Sequence, residues 1–321
     1  MSAPPLPPLF IVFNAASGSQ DALAASVRVA ELLQAAGQPH VLHLVRQAPE
    51  LGALAVRAVH EARAAGGIVV AAGGDGTVSA VAQAVFNAGL PLAVLPRGTF
   101  NYFAREHGMP DGLHEAVAAL LAARPRAVPV GMVNGRLFLV SASVGLYPRV
   151  LLAREAAKAR FGRHRLTAML SGLVTLLRGG GRLTLQLQMT GEAEGHTRVL
   201  HARTLFVGHN ALQWRMLGLP QAQAVAEGAL AAISLQPLGP LPMLWLALRG
   251  AMGRLDGADG IESFSFQSLT VAPRRRLRQW PVAVDGEVHH LPAPLRFEAA
   301  PRPLQVWLPP APSAPPALPA D

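Results

Sequence analysis

The run Ile68-Val69-Val70-Ala71-Ala72-Gly73-Gly74-Asp75-Gly76-Thr77 reads as a buried strand that empties into a polar, glycine-rich turn. The Ala-rich stretch Val78–Ala88 that follows has the length and composition of a helix. The same unit recurs outward from this point. Apolar runs at Leu9–Phe13, Val41–Val45 and Pro91–Leu95 alternate with Ala-rich stretches at Asp21–Ala36 and Glu50–Ala65. This βαβα alternation predicts a parallel sheet with helices packed on its faces, a Rossmann-like α/β domain. Asp21 stands where an N-cap or first-turn acid belongs, and Gly37 where a left-handed residue ends the helix.

Near Arg126 the pattern changes. Strand-like runs at Arg136–Ser143, Arg182–Met189, Arg198–Val207 and Leu269–Ala272 predict an antiparallel, β-rich second domain, and Val133-Asn134-Gly135-Arg136 is a hairpin signal. A helical insertion is expected over Leu146–Leu177, and the Leu/Met-rich stretch Leu241–Met252 around Trp245 reads as a buried helix. The expected organisation is an α/β nucleotide-binding domain over 9–125, a β-rich domain over 126–308 and a disordered Pro/Ala tail over 309–321. With 321 residues, 51% hydrophobic and 15% charged, the chain has room for two cores and is not a wholly disordered protein. It has no cysteine, which excludes a disulfide framework, thiolate zinc sites and cysteine nucleophiles. No apolar run reaches the roughly 18 residues of a spanning helix, and the Pro-rich start lacks a secretory pattern, so a cytoplasmic chain is expected. The 28 Lys+Arg against 19 Asp+Glu give +9, with Lys158 the only lysine, and this calls for a polyanionic partner. An arginine-rich, lysine-poor composition also accounts for part of that excess without any function.

Two more turns repeat the design of Gly73–Thr77: Phe13-Asn14-Ala15-Ala16-Ser17-Gly18-Ser19 and Leu95-Pro96-Arg97-Gly98-Thr99-Phe100-Asn101. Ligands bind at the carboxyl ends of parallel strands. Glycines let the backbone approach a phosphate there, and free N–H groups with the helix macrodipole favour the anion. One such loop alone is a βα turn that needs glycine for geometry. Three together, with Asp75 between glycines, describe a nucleoside triphosphate site in which Asp75 serves Mg²⁺, a cation held by one or two carboxylates plus phosphate oxygens. There is neither a Walker G-x-x-x-x-G-K-[ST] nor a dinucleotide G-x-G-x-x-G, so backbone, hydroxyls and Arg97 must hold the anion.

The ordered set N-x-x-S-G at Asn14–Gly18, G-G-D-G-T at Gly73–Thr77, L-P-x-G-T-x-N at Leu95–Asn101 followed by Phe103-Ala104-Arg105, and D-G-E at Asp285–Glu287 resembles the diacylglycerol kinase catalytic family, in its bacterial lipid kinase branch. The resemblance spans about residues 9–308. It implies an α/β nucleotide-binding domain joined to an antiparallel lipid-binding domain. It also implies that Asp75 organises Mg-ATP and that Asn14, Ser17, Gly74, Thr77 and Thr99 line the nucleotide, with Gly18, Gly73, Gly76, Gly98 and Asn101 in the same loops. Asp285 and Glu287 would serve the lipid hydroxyl. Three positions depart from the family pattern: Ala15 replaces the usual proline, Tyr102 replaces a frequent acid, and Glu227 takes the place of an aspartate that supports a structural Mg²⁺ in some members.

Read from its residues, Pro281-Val282-Ala283-Val284-Asp285-Gly286-Glu287-Val288 is a short strand entering a turn, and two solvated hairpin acids are one reading of it. Phosphoryl transfer to an alcohol supplies the other, because one group must accept the hydroxyl proton. Glu287 is expected as that base and Asp285 as a bracing or metal-side acid, with Asp75 as rival base. Other patterns fail: His60-Glu61 lacks a second zinc-spaced histidine because Ala64 occupies the position, His289-His290 reads as a hairpin end, and Ser141–Gly145 lacks a nucleophile elbow. Arg149, Arg154, Lys158, Arg160, Arg163 and Arg165 precede the apolar stretch Leu166–Leu177, an arrangement suited to an anionic membrane surface; Arg274, Arg275, Arg276 and Arg278 before Trp280 form a second cluster.

The leading expectation is an ATP- and Mg²⁺-dependent kinase acting on a diacylglycerol-like lipid alcohol as a peripheral membrane protein. The alternatives are an NAD kinase-like enzyme and a non-catalytic nucleotide-sensing or nucleic-acid-binding protein. Against nucleic acid, aromatic residues are only 5% and no recognition motif is present. The sequence leaves the lipid's identity and the oligomeric state open, a dimer included.

Overall fold

The computed structural model describes residues 6–16, 20–161, 183–190, 197–274 and 278–310. The chain divides into two compact units, residues 1–128 with 303–321, and residues 129–302. In chain order the first unit begins with β1 (Leu9–Asn14), α1 (Gln20–Ala35), β2 (His40–Val45), α2 (Glu50–Ala65), β3 (Ile68–Gly73) and α3 (Asp75–Ala88). It continues with β4 (Leu92–Pro96), α4 (Tyr102–Glu106), α5 (Leu113–Leu121) and β5 (Arg124–Val128). The second unit opens with β6 (Gly131–Val133), β7 (Arg136–Phe138), β8 (Ser141–Gly145), α6 (Leu146–Phe161), β9 (Leu183–Thr190), β10 (Thr197–Ala202) and β11 (Thr204–Gly208). After β12 (Leu230–Leu235) come β13 (Ile261–Phe266), β14 (Ser268–Pro273), β15 (Gln279–Val284), β16 (Glu287–Pro292) and β17 (Leu295–Ala299). Three further helices, Ala211–Met216, Ala222–Ala226 and Pro240–Ala251, flank β12. The last strand is β18 (Leu304–Leu308).

The first unit is the expected α/β sheet, ordered β2-β1-β3-β4-β18-β5, with every neighbouring pair parallel except β18 and β5. Every residue of β3 and β4 is buried, as befits parallel strands covered by helices on both faces. The helix α3 buries Val78, Val81, Ala82, Val85 and Phe86, the i, i+3, i+4, i+7, i+8 stripe of an amphipathic helix. The α1 helix stops as read from Gly37. At φ 66 that residue donates its N–H to Gln34 O while Gln38 N–H reaches Leu33 O, a Schellman pair. The alternating Leu304–Leu308 segment, expected in the second domain, is instead a strand of this sheet between β4 and β5.

The second unit is a sandwich of two antiparallel sheets, β10-β9-β14-β17-β6-β7 and β13-β12-β11-β8-β15-β16. Side chains at alternate positions meet in its core: Leu185, Leu187, Leu269, Val271 and Phe297 from one sheet, and Val144, Leu205, Val207, Val282 and Val284 from the other. The period of two is plain on β12, where Leu230 and Ala232 enter that core while Ala231 joins a second cluster with Trp214, Val225, Leu246 and Leu255 under the three helices. Two runs expected as single strands, Arg136–Ser143 and Arg198–Val207, each split and pass from one sheet to the other, at residues 139–140 and at Arg203. A sandwich closes its corners in this way. The Val133–Arg136 hairpin forms as read, with Asn134 at φ 47 and Gly135 at φ 80.

The Pro240–Ala251 helix is not buried all round as expected. Trp245 is 59% exposed, because it shares one face with the exposed Leu241 and Leu248 while Met243 and Leu246 are buried on the other. Of the expected insertion, Leu146–Phe161 is helical, and the remainder with Arg163 and Arg165 lies outside the described residues, as do Arg275, Arg276 and the expected tail from residue 311. Among the described residues no helix is long and apolar enough to cross a membrane.

Candidate active site

In the first unit the glycine-rich turns after β1, β3 and β4 are joined by side chains and by direct backbone contact. The Nδ2 of Asn14 donates to Thr77 Oγ1 at 2.7 Å, while Asn14 Oδ1 accepts from the Ala16 N–H at 2.9 Å and holds its own loop as an Asx-turn. This ties the end of β1 to the first turn of α3, where Thr77 is buried. The loops after β3 and β4 meet through the Arg97 N–H, which donates to Gly73 O at 2.9 Å. At Gly98 a Cβ would lie 2.6 Å from the Gly74 Cα, so the two turns pass too closely for any side chain there.

Asn101 closes the third turn. It is buried in the left-handed region at φ 49; its Oδ1 accepts from the Gly98 N–H at 2.7 Å, and its Nδ2 donates to Gly98 O at 3.0 Å and to Asp111 Oδ1 at 3.2 Å. Asparagine is among the few residues that tolerate this conformation. Pro96, Arg97, Gly98, Thr99, Asn101, Asp111 and Leu113 line a polar cleft of about 300 Å³. Asp75 opens α3 as its first residue, half-buried, with Gly76 after it. Burial pushes the Asp75 carboxyl above the ordinary aspartate range, against the opposing pull of the Phe103, Tyr102 and Asn101 backbone N–H groups.

Arg97 supplies the cation. Its guanidinium carbon lies 5.0 Å from the Phe13 ring centroid, burial pulls its pKa below the usual arginine value, and among the described residues it has no carboxylate partner. A desolvated, unpaired arginine lining a polar cleft is a ready anion site. Of the expected nucleotide residues, Asn14, Gly73, Gly74, Gly76, Thr77, Gly98 and Asn101 fall in this constellation, with Thr99 exposed on the cleft lining. Ser17 and Gly18 lie outside the described residues.

In the second unit Asp285 and Gly286 form the two-residue turn between β15 and β16, with φ 46 and 88. The Asp285 carboxylate accepts three backbone N–H groups, Leu139 at 2.9 Å on Oδ2 and Val140 and Ser141 at 2.9 and 3.0 Å on Oδ1. Its own N–H donates to Ser141 O at 2.8 Å. Four hydrogen bonds therefore lock the turn onto the crossing between β7 and β8, and an oxygen receiving two donors is poorly placed to take a proton. Glu287, two residues on, leaves its side chain half in solvent, with Oε2 3.9 Å from His289 Nε2.

Two neighbours, Arg136 and His289, were legible in the sequence only as parts of hairpins. Burial pulls the Arg136 pKa below the usual arginine value, only partly opposed by the charges of Glu287 and Asp285. Burial, helped by Arg136 and His290, depresses His289 to about 4. On the far side of the braced crossing, the His209 N–H donates to Val140 O at 3.0 Å. Burial lowers the His209 imidazole to about 4, and its Nε2 finds no partner among the described residues.

Backbone-lined turns at the ends of parallel strands, beside a desolvated arginine and a carboxylate at a helix amino end, define a phosphate-handling α/β protein. Residues 8–133 match the family of the diacylglycerol kinase catalytic domain. The YegS-like probable lipid kinase of Pseudomonas fluorescens is 32% identical over 296 residues, covering 90% of this chain and 93% of that protein. Its counterpart in Pseudomonas savastanoi pv. phaseolicola is 32% identical over 257 residues, 79% of this chain and 80% of that one. A diacylglycerol kinase structure from Bacillus anthracis superposes with a TM-score of 0.70 over 97% of this chain and 99% of that chain; at 19% identity this likeness shows the fold alone. The chain belongs to the diacylglycerol kinase catalytic family and is a lipid kinase.

Proposed function

We propose that the protein transfers the γ-phosphoryl group of ATP, with Mg²⁺, to the hydroxyl of a diacylglycerol-like lipid alcohol at a membrane surface. The observation that carries this reading is the joined set of three turns, the third of which lines a polar cleft, with Asp75 desolvated at the start of α3 and Arg97 without a carboxylate partner among the described residues. Thr77 and Asn14 fix the spacing of the loops, Gly74 and Gly98 keep side chains out of the space a polyphosphate needs, and Arg97 brings positive charge to it.

Among the described residues no group of three or more acids and histidines could cage a metal. Mg²⁺ binds through one or two carboxylates and completes its shell with phosphate oxygens and water. Asp75 would be the protein's contribution, since burial leaves its ionised form in want of a cation. When bound, Mg²⁺ supplies neutralisation of charge on the transferring group.

For the acceptor, the second unit holds an apolar cavity of about 370 Å³ between its outer sheet face and the helices, lined by Phe206, Trp214, Leu217, Ile233, Met243 and Leu246 among others. It is of ligand-pocket size and suits an acyl chain rather than a polar dinucleotide. Asp285 braces the turn that carries Glu287, and Glu287 takes the hydroxyl proton. The test is transfer of labelled γ-phosphate from Mg-ATP into diacylglycerol micelles and, separately, into NAD and a total lipid extract, with the product identified by mass. A phosphorylated lipid supports the reading; phosphorylated NAD, or no acceptor, overturns it.

A further inference from the structure

The Pro240–Ala251 helix has two apolar faces with different fates. Met243, Leu246 and Gly250 point to the cavity. Leu241, Trp245, Leu248 and Met252 are 78%, 59%, 51% and 50% exposed. Their i, i+4, i+7, i+11 spacing places them within an arc of about 60° at 3.6 residues per turn, opposite the cavity face. The patch continues onto the Ala211–Met216 helix. Met216 is 47% exposed, a Cβ on Gly253 would meet Met216 O at 2.7 Å, and the Leu255 N–H donates to Leu217 O at 3.1 Å, so the ends of the two helices abut. A contiguous row of large exposed apolar side chains marks an interaction surface.

We propose that this face seats in the outer region of an anionic lipid bilayer, so that one helix carries the membrane contact on one side and lines the acyl cavity on the other. Charge selects the occupant. Neither helix bears an acid; Arg215 and Arg249 are their only charged residues, and Arg254 stands exposed just beyond. Arg249 is fixed by donating to the carbonyls of Arg254 at 2.9 Å and Asp256 at 3.1 Å, and the acids Asp256 and Asp259 follow in the turn beyond. Tryptophan and leucine on one face with arginine at its margin is the composition of an interfacial helix. A lipid with two acyl chains stays in its bilayer, so an enzyme with an acyl cavity must go to the membrane surface. In this the inference rests on the lipid-kinase reading.

The test uses the full chain without ATP and the protein's own tryptophans. Trp214 and Trp280 are 2% and 3% exposed and Trp307 is half-buried on β18 of the first unit, so Trp245 is the indole on this face that vesicles can reach. Vesicles of phosphatidylglycerol with phosphatidylcholine should blue-shift the emission, and brominated lipid should quench it; Trp245→Phe should remove that response. Joint Leu241→Gln and Leu248→Gln substitution should weaken vesicle binding by roughly tenfold for each leucine withdrawn. Joint Arg215→Gln and Arg254→Gln should weaken it about fivefold per charge on anionic vesicles only. The leucine variant should still phosphorylate lipid dispersed in detergent as wild type does. Unaltered Trp245 emission with vesicles, or leucine variants that bind them as wild type does, overturns the docking face while leaving the kinase reading intact. A wild-type dimer that the leucine variant dissolves, with vesicle binding unchanged, also overturns it and gives the face to a second copy of the chain. A wild type that docks but phosphorylates no lipid would instead overturn the kinase reading.

Discussion

Replacing Asp285 with Asn tests whether this carboxylate is a brace. The variant keeps the turn, because asparagine tolerates the left-handed φ of 46 that Asp285 adopts. It also keeps one oxygen to receive Val140 and Ser141. The Leu139 N–H, now 2.9 Å from Oδ2, would face an NH₂ group instead. A buried donor left without an acceptor costs about 1–3 kcal/mol. In a domain of 150–250 residues each kcal/mol moves Tm by about 2–4 °C, so the second unit should melt roughly 2–12 °C lower. Thermal unfolding followed by circular dichroism and calorimetry reads this directly. Glu287→Gln, on a half-exposed side chain, is the control and should move Tm by no more than about 1–2 °C. An unchanged Tm in Asp285→Asn, or equal losses in both variants, would refute the assignment of Asp285 as the brace.

Three further outcomes are expected. Glu287→Gln should lower lipid turnover by about 10²–10⁴-fold while leaving ATP affinity by calorimetry unchanged, because it removes a proton acceptor and is not itself part of a nucleotide loop. Arg97→Gln should do the reverse, weakening nucleotide binding by roughly tenfold or more through loss of a charged hydrogen-bond donor, with the fold intact by circular dichroism. His209, held near 4 in the fold and near its ordinary value when unfolded, favours the neutral form on folding; its contribution is present above about pH 6.5 and is lost as pH falls toward 4. The loss reaches up to about 3 kcal/mol. Urea unfolding of His209→Gln at pH 7 and pH 5 should therefore show a smaller acid loss than wild type.

Most of the first unit was legible because its signals are local. Buried runs such as Ile68–Ala72, Ala-rich helices and Gly37 each specify their own conformation, and the three turns had to meet once the strands were parallel. Long-range partners were not legible. The alternation in Leu304–Leu308 specifies a strand but not its sheet, and nothing near Asp285 in sequence announces Leu139–Ser141 as its donors. The break at Arg203 was hidden because the apolar alternation runs through it while the chain changes sheets. In the Pro240–Ala251 helix apolar residues on both faces concealed that only one is covered, and composition cannot distinguish a buried face from one awaiting a partner.

Asp75→Asn asks whether the turns of the first unit handle phosphate through Asp75. Burial raises the Asp75 pKa in the fold, so its ionised form costs stability above the ordinary carboxylate pKa, and that cost disappears as pH falls or when the charge is removed. The variant should thus stay folded at pH 7, the relieved burial of charge offsetting the loss of one acceptor oxygen, yet form phosphorylated lipid from Mg-ATP at least about 10²-fold more slowly. Measured side by side, Tm retained and turnover lost is the predicted result. A folded Asp75→Asn enzyme that phosphorylates lipid at the wild-type rate would show that phosphoryl transfer does not depend on the Asp75 charge.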